Sequence, residues 1–136
     1  LAVIFVSPIV TEVQMFILLQ KEAPHKEYEL IGEWLRDNTP ADSKIAAVEI
    51  GHLGWYSDRY VIDILGLVNP MNAEFIGQRK FSKWFDYYKP DYVVVHDPYW
   101  PHEQGIPELV EKGYFSEDKR FSMKGYKLLM LNRSGY

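Results

Sequence analysis

Two acidic residues of this sequence, Glu49 and Asp63, each stand at the downstream end of a short apolar run. A carboxylate at such a place can act in acid/base chemistry, accept sugar hydroxyl groups, or accept backbone N–H groups from the turn that follows it. Gly51, Gly54 and Gly66 favour the last role, because glycine forms the tight turns that a carboxylate braces. Loop bracing is therefore the preferred interpretation, with ligand binding as the alternative.

A second group of polar residues lies in the segment "HDPYWPHE", which offers His96, Asp97, His102 and Glu103. These side chains are suitable ligands for a divalent metal ion. Their spacing matches no standard metal motif, and the prolines between them prevent the helix that would align them. We therefore predict a solvated loop with an aromatic anchor, and neither a metal site nor a cofactor.

Several other kinds of catalytic site are excluded by the residues that the chain lacks. It has no Cys, which excludes disulfides, thiolate zinc sites and Cys nucleophiles. It also has no G-x-S-x-G elbow, no phosphate loop and no G-x-G-x-x-G dinucleotide motif. We expect no catalytic residue, so the chain by itself is predicted to be catalytically silent.

Aromatic residues are frequent, at 15% of the chain, and four of them fall in predicted loops. Trp55, Tyr56, Tyr99 and Trp100 can stack on sugar faces, although such residues also cover protein cores. If they border one shallow groove beside the acids, that groove suits a carbohydrate. The candidate ligand-binding residues are Glu49, His52, Trp55, Tyr56, Asp63, Asn69, His96, Asp97, Tyr99 and Trp100.

Overall composition indicates ordinary globular material and argues against nucleic-acid binding. Apolar residues make up 47% of the 136 residues and charged residues 25%. The net charge is −4, and no Lys/Arg run exceeds two residues, so the chain has no basic patch that would neutralise phosphates.

The periodicity of the apolar residues predicts an α/β fold. Three runs have strand length and composition, "KIAAVEI", "YVIDIL" and the continuous "YVVVH", and helical segments alternate with them. A helix is predicted to end before Thr39-Pro40, and "MNAEFIGQRKFSKWFDYY" and "PELVEKGYF" are also predicted to be helical. "GHLGWYSDR" is predicted to be a glycine-rich loop or a single helical turn.

The last part of the chain is predicted to be a hairpin, with "KRFSM" and "YKLLMLNR" on either side of Lys124-Gly125. The expected architecture is a layered α/β domain with a mostly parallel sheet and an antiparallel C-terminal hairpin edge. Parallel strands end at the same edge of a sheet, and ligands bind along that edge in open α/β sheets. Glu49, Asp63 and His96 should therefore lie at one edge.

The N-terminal stretch "LAVIFVSPIVTEVQMFILLQ" contains one charged residue, Glu12. It has no basic region or small-residue cleavage site typical of a signal peptide. Pro8, Glu12 and Gln14 interrupt it as a complete membrane span. Two interpretations remain open for residues 1–24: the end of a membrane helix with a linker, or a first strand. Residues 25–136 are expected to form a single soluble α/β domain.

The order of three segments resembles a known family. They are "IGEWLRDNTPADSKIAAVEIG", "GHLGWYSDRYVIDILGLVNP" and "KPDYVVVH". They are similar to the C-terminal extracytoplasmic domain of bacterial polytopic GT-C glycosyltransferases of the dolichyl-phosphate-mannose protein mannosyltransferase type, which are related to lipid A aminoarabinose transferases. The resemblance covers residues 29–96 well and residues 105–133 loosely.

The resemblance implies a role for the chain but no catalytic residue. In that family the catalytic acid lies in the first extracytoplasmic loop, and the polyprenyl-phosphate-sugar site lies among membrane helices. The implied role is an accessory domain, membrane-anchored on the periplasmic side, that recognises a sugar or glycolipid acceptor or covers the active site. Its partner would be the membrane domain of the same chain. The alternative is a stand-alone soluble α/β enzyme or binding module that uses Glu49, Asp63 and His96.

Overall fold

The computed structural model describes residues 26–132, so the expectations for residues 1–24 lie outside the described part of the chain. Helices and strands alternate along most of it, as the apolar periodicity predicts. In chain order the elements are α1 (Lys26–Asn38), β1 (Lys44–Ala47), α2 (Ile50–Ser57), β2 (Tyr60–Asp63), α3 (Pro70–Gly77), α4 (Trp84–Tyr88), β3 (Tyr92–His96), a 3₁₀ turn (Pro101–Glu103), α5 (Ile106–Glu111), β4 (Phe115–Glu117) and β5 (Tyr126–Leu131).

The strands form one five-stranded mixed sheet in the order β2-β1-β3-β5-β4. β1 pairs in parallel with both β2 and β3, and β5 pairs antiparallel with both β3 and β4. The predicted α/β fold is thus confirmed, including an antiparallel C-terminal hairpin at one edge.

The sheet buries both of its faces, as the continuous apolar run of β3 predicts, and all five residues of that strand are buried. Val93 and Val95 point into a core that also contains Trp84 and Phe85 from α4. Tyr92 and Val94 point into the opposite core, beneath α1 and α2. Because side chains alternate along a strand, His96 falls on the face that α1 and α2 cover.

The predicted first strand of the hairpin is wrong. β4 is Phe115–Glu117, and of the "KRFSM" segment only Met123 makes an isolated bridge, to Tyr126. The carboxylate of Asp118 accepts the backbone N–H of Arg120 at 3.0 Å, and the N–H of Phe121 donates to the carbonyl of Asp118 at 3.1 Å. These bonds form a turn that directs the ring of Phe121 into the core, so the segment cannot extend as a strand.

Two helix predictions also need correction. The segment predicted to be one helix from Met71 is two, because α3 ends after Gly77. The N–H of Lys80 donates to the carbonyl of Phe75, and the N–H of Arg79 donates to that of Ile76. This is the Schellman arrangement, and Arg79 occupies its left-handed position with φ 57°.

The segment predicted to be a glycine-rich loop or one turn is the eight-residue helix α2. Gly51 and Gly54 therefore lie within a helix and form no tight turn, contrary to the expectation. Leu53 is fully buried, and a Cβ on Gly32 of α1 would lie 2.7 Å from Cβ of Tyr56. Close packing of α2 against α1 therefore overrides the low helix propensity of the glycines.

Candidate functional site

The carboxyl ends of β1, β2 and β3 lie at one edge of the sheet, which we call the carboxyl edge. Ala47 at the end of β1 pairs with Asp63 at the end of β2, and Ala46 pairs with Val93 of the parallel strand β3. Glu49, Asp63 and His96 therefore lie on the same edge, as predicted from the alternation of strands and helices.

Asp63 braces the loop after β2, which confirms the interpretation preferred from the sequence. Its buried carboxylate accepts three backbone N–H groups, from Leu65 at 3.0 Å, Gly66 at 2.8 Å and Val68 at 2.7 Å. Gly66 adopts φ 84°, a backbone conformation that glycine reaches without a steric penalty. The carboxylate is therefore occupied by its own loop.

Asn69 continues this bracing at the start of α3. Its side-chain oxygen accepts the backbone N–H groups of Met71 and Asn72, as an N-cap residue does, and its amide nitrogen donates to the hydroxyl of Tyr88. The buried Asn72 in turn donates to the carbonyl of Asp63 at 2.6 Å. Asn69 is thus bonded within the protein on both sides of its amide group.

His96 is the centre of a buried chain of hydrogen bonds that crosses the carboxyl edge. Its Nδ1 lies 2.9 Å from Oε1 of Glu103, and its Nε2 lies 3.1 Å from the hydroxyl of Tyr28 on α1. Glu103 is completely buried and also accepts the backbone N–H of Trp100 at 2.8 Å. The chain Tyr28–His96–Glu103 therefore joins α1, β3 and the loop after β3.

The chemistry of this chain favours structure over catalysis. Burial, followed by a hydrogen bond with the side chain of Tyr126, raises the pKa of Tyr28 well above its ordinary value. A phenol whose pKa is raised keeps its proton, so the hydroxyl of Tyr28 stays neutral in this chain of hydrogen bonds. Tyr28 is consequently not activated as a nucleophile or a base.

Trp100 covers His96. The two rings stack with their centroids 3.6 Å apart and an interplanar angle of 8°, and 41% of Trp100 remains exposed. Tyr99 is half-buried and packs against the core beneath α4 and α5, where burial raises its pKa. Asp97 is exposed and pairs with Lys127 at 2.8 Å. These three residues anchor the loop to the sheet.

The remaining candidates form a stripe on α2. Glu49 precedes the helix, and His52, Trp55 and Tyr56 follow at spacings of three and four residues, which places them on one face. Trp55 is 83% exposed, and it lines a shallow depression together with Gly51, His52 and Tyr56. The rings of His52 and Tyr56 are nearly parallel, at 15°.

The structure divides the predicted aromatic groove between two places. Trp55 and Tyr56 line the depression on α2, whereas Tyr99 and Trp100 belong to the loop after β3 and do not line it. The expectation that all four border one groove is therefore not met at the α2 depression.

The four residues considered as metal ligands do not converge. His96 and Glu103 bond each other, Asp97 pairs with Lys127, and the ring of His102 contacts Phe81. Within residues 26–132 no group of three or more His, Asp or Glu side chains is placed to hold a metal ion.

Sequence reasoning did not single out Tyr28 as a site residue and considered Glu103 only among possible metal ligands, so it missed the partners of His96. Both are buried polar residues, Tyr28 in α1 and Glu103 in the proline-rich loop. The sequence feature that could have indicated this pair is a histidine at the end of a buried strand, followed seven residues later by an acid in a proline-containing loop.

The fold and this site define an α/β domain in which Asp63, Asn69 and His96 at the carboxyl edge are hydrogen-bonded within the protein. A comparison with protein families matches residues 16–132 to a domain of unknown function (DUF8728), and the chain belongs to this family. Comparisons with curated proteins and with solved structures found no match. In residues 26–132, no helix has the length and apolar character needed to cross a membrane.

Proposed function

We propose that this chain is an extracytoplasmic accessory domain of a membrane glycosyltransferase that uses a polyprenyl-phosphate-linked sugar. In this proposal the domain is anchored by a membrane domain of the same polypeptide and contacts the sugar of the acceptor. The observation that carries the binding role is the exposed indole of Trp55, held beside Gly51, His52 and Tyr56 on a helix that is firmly packed.

The rigidity of α2 supports a binding role for its exposed face. Leu53 is fully buried in the core beneath α1, and Gly32 of α1 allows the backbone around Tyr56 and Ser57 to approach closely. A rigid aromatic side chain binds a sugar face at a low cost in conformational entropy. Large exposed aromatic residues on an ordered helix are therefore suited to carbohydrate contact.

Glu49, which lies beside the stripe on α2, adds a carboxylate that can accept the hydroxyl groups of a sugar. Glu49 is half-buried, and among residues 26–132 its side chain makes no hydrogen bond or ion pair, including none that caps α2. Asp63, by contrast, is saturated by its own loop, and His96 by Glu103 and Tyr28. This contrast supports Glu49, and not Asp63 or His96, as the acid that faces a ligand.

The accessory role fits the chemistry of the remaining edge residues. The Tyr28–His96–Glu103 chain holds a loop, and burial raises the pKa of its tyrosine instead of lowering it. The same reasoning weakens the alternative of a stand-alone enzyme that uses Glu49, Asp63 and His96. The resemblance of residues 29–96 supplies the glycosyltransferase part of the proposal.

The sugar-binding part is tested by titrating the isotope-labelled chain with methyl α-mannoside and a mannose disaccharide in NMR. We expect saturable shifts at residues 51–56, with a dissociation constant in the millimolar range, about −4 kcal/mol. Trp55→Ala should abolish them, whereas Tyr60→Ala, which removes another exposed aromatic ring, should not. Equal shifts in the two variants, or none in the parent chain, would reject α2 as the sugar-binding face.

The glycosyltransferase part has a separate test, which is the gene sequence upstream of the codon for Leu1. We expect several apolar membrane spans in the same reading frame and an acidic residue in the first extracytoplasmic loop. An upstream region without such spans would reject this part of the proposal while leaving the sugar titration to be judged on its own.

A further inference from the structure

We infer that a second surface of the protein binds a small organic anion that carries an apolar or aromatic body. The surface is a depression of about 330 Å³ between the end of α3 and the 3₁₀ turn. We call it the α3 depression, and it is lined by Ile76, Gly77, Arg79, Phe81, Pro101, His102 and Gln104. This volume lies within the range of small-molecule sites.

The charge of the α3 depression is opposite to that of the whole chain. The net charge of the protein is −4, yet the lining contains Arg79 and no acidic residue. The nearby acid Glu74 is bonded to Gln78 at 2.8 Å, and the buried carboxylate of Glu103 is bonded to His96. An anion in this depression would therefore meet a cation without a competing carboxylate.

Arg79 has no partner for its guanidinium among residues 26–132, where no hydrogen bond, ion pair or ring contact involves it. It also stands at a costly backbone position. Its φ of 57° is left-handed, in the place of a Schellman motif where glycine or asparagine is favoured. A cation kept in a strained conformation without a partner points to a role outside folding.

His102 supplies a second unmatched polar group. Its Nδ1 is buried and has no hydrogen-bond partner among the described residues, while its ring packs at a steep angle against Phe81. Buried polar atoms of folded proteins are nearly always bonded, so this nitrogen is an unmatched polar group beside the α3 depression. His102, Arg79 and Gln104 all line this depression with polar side chains.

The walls of the α3 depression are rigid before any ligand binds. Glu103 fixes the 3₁₀ turn to β3 through His96, and the buried indole of Trp84 donates to the carbonyl of Phe81 at 2.7 Å. A Cβ on Gly105 would lie 2.6 Å from the backbone nitrogen of Ser82, so the two walls touch. Phe81, Ile76 and Pro101 provide the apolar floor, which suits an aromatic or aliphatic body.

The test uses phenyl phosphate and benzoate as probes. Inorganic phosphate, which lacks the aromatic body, and benzyl alcohol, which lacks the negative charge, serve as controls. NMR titration of the labelled chain should show saturable shifts at residues 76–81 and 101–104 with the first two probes. Benzyl alcohol and inorganic phosphate should each bind at least about tenfold more weakly, because each lacks one of the two interactions.

Arg79→Asn separates binding from folding. Asparagine tolerates the left-handed conformation, so the melting temperature should stay the same or rise, while the affinity for phenyl phosphate should fall about tenfold or more. The matched control is Lys89→Asn, which removes one positive charge from another left-handed position at a helix end. Its binding should be unchanged.

His102→Leu gives a second readout, since it removes the unmatched nitrogen and keeps the side chain apolar. We expect weaker binding of phenyl phosphate without loss of stability. Undiminished affinity in Arg79→Asn, an equal loss in Lys89→Asn, or benzyl alcohol binding as tightly as phenyl phosphate would each overturn the inference. None of these outcomes depends on the sugar proposal, which concerns other residues.

Discussion

Nδ1 of His96 lies 2.9 Å from the carboxylate of Glu103, which is completely buried beneath the loop that follows β3. The same carboxylate accepts the backbone N–H groups of His96 and Trp100. A carboxylate without exposure persists in a folded protein only when its oxygens are bonded in this way. Glu103 therefore acts as the anchor that holds residues 97–105 against the sheet.

Removal of this anchor should be strongly destabilising. Glu103→Ala leaves Nδ1 of His96 and the backbone N–H groups of His96 and Trp100 without their acceptor, at about 1–3 kcal/mol for each buried group, so the free energy of unfolding should fall by about 3 kcal/mol or more. For a domain of this size the melting temperature should drop by roughly 10 °C or more. Urea denaturation measures the change, with Glu111→Ala on the exposed side of α5 as a control near zero.

Substitution of Asp63 should have a smaller effect of the same kind. Asp63→Ala leaves the N–H groups of Leu65, Gly66 and Val68 without their carboxylate, at a cost of about 1–3 kcal/mol. Asp63→Asn keeps one acceptor oxygen and should cost less than the alanine variant. Calorimetry on both variants measures which one loses more stability, and Asp42→Ala in an exposed turn serves as the control. A melting temperature unchanged by Asp63→Ala would contradict the bracing role.

The sequence was sufficient for β1, β2, β3 and β5, because an apolar run marks each of them and the β3 run is apolar on both faces. It was also sufficient for Asp63, which braces the turn that follows it, but not for Glu49, where the predicted turn is the helix α2 and the side chain makes no capping hydrogen bond. The position of α2 depended instead on contacts distant in the chain, between Gly32 and Tyr56. Local helix propensity does not contain that information, and the two glycines of α2 disfavour a helix.

Hydrogen bonds between residues that are distant in the chain are equally hard to predict from the sequence. The guanidinium of Arg59 donates to the carbonyls of Arg36 and Thr39, some twenty residues away in the chain, and so joins the end of α1 to the segment after α2. Tyr28 and His96 are 68 residues apart. Such pairs become neighbours only after the sheet and helices are in place, whereas Asp118 and Arg120 are close in any turn.

The Asp118–Arg120 pair should make stability depend on pH in the acid range. The side-chain hydrogen bond from Arg120 lowers the pKa of Asp118 in the folded state below its unfolded value of about 3.9. Because the folded pKa is lowered, the stabilisation is complete above the unfolded pKa and is lost as pH falls through the folded pKa.

Asp118→Asn should therefore remove part of the acid destabilisation. Urea unfolding of the parent chain and the variant from pH 6 to pH 2 measures it, and the difference between the two curves should shrink as pH falls below about 4. Lys119→Gln serves as a control, since its pair with Glu117 is exposed. A difference that stays constant across this range would show that the pair does not respond to protonation.

Two glycine-to-alanine substitutions in neighbouring helices should change stability in opposite directions. A Cβ on Gly32 would lie 2.7 Å from Cβ of Tyr56 and 3.1 Å from the backbone nitrogen of Ser57, so α1 and α2 would have to move apart. A Cβ on Gly54 would meet only a methyl group of Val61, at an ordinary 3.8 Å. In each case alanine gains about 1 kcal/mol of helix propensity over glycine.

At Gly54 that gain should appear almost undiminished, so Gly54→Ala should raise the free energy of unfolding by about 0.5–1 kcal/mol. At Gly32 the added Cβ would meet backbone atoms that cannot rotate away, so the overpacking cost should lie at the upper end of about 1–3 kcal/mol, exceed the gain and make Gly32→Ala destabilising. Urea denaturation of both variants measures the signs. Because the propensity change is the same in both, a stabilising Gly32→Ala would mean that the close crossing of α1 and α2 does not hold the helix that carries Trp55.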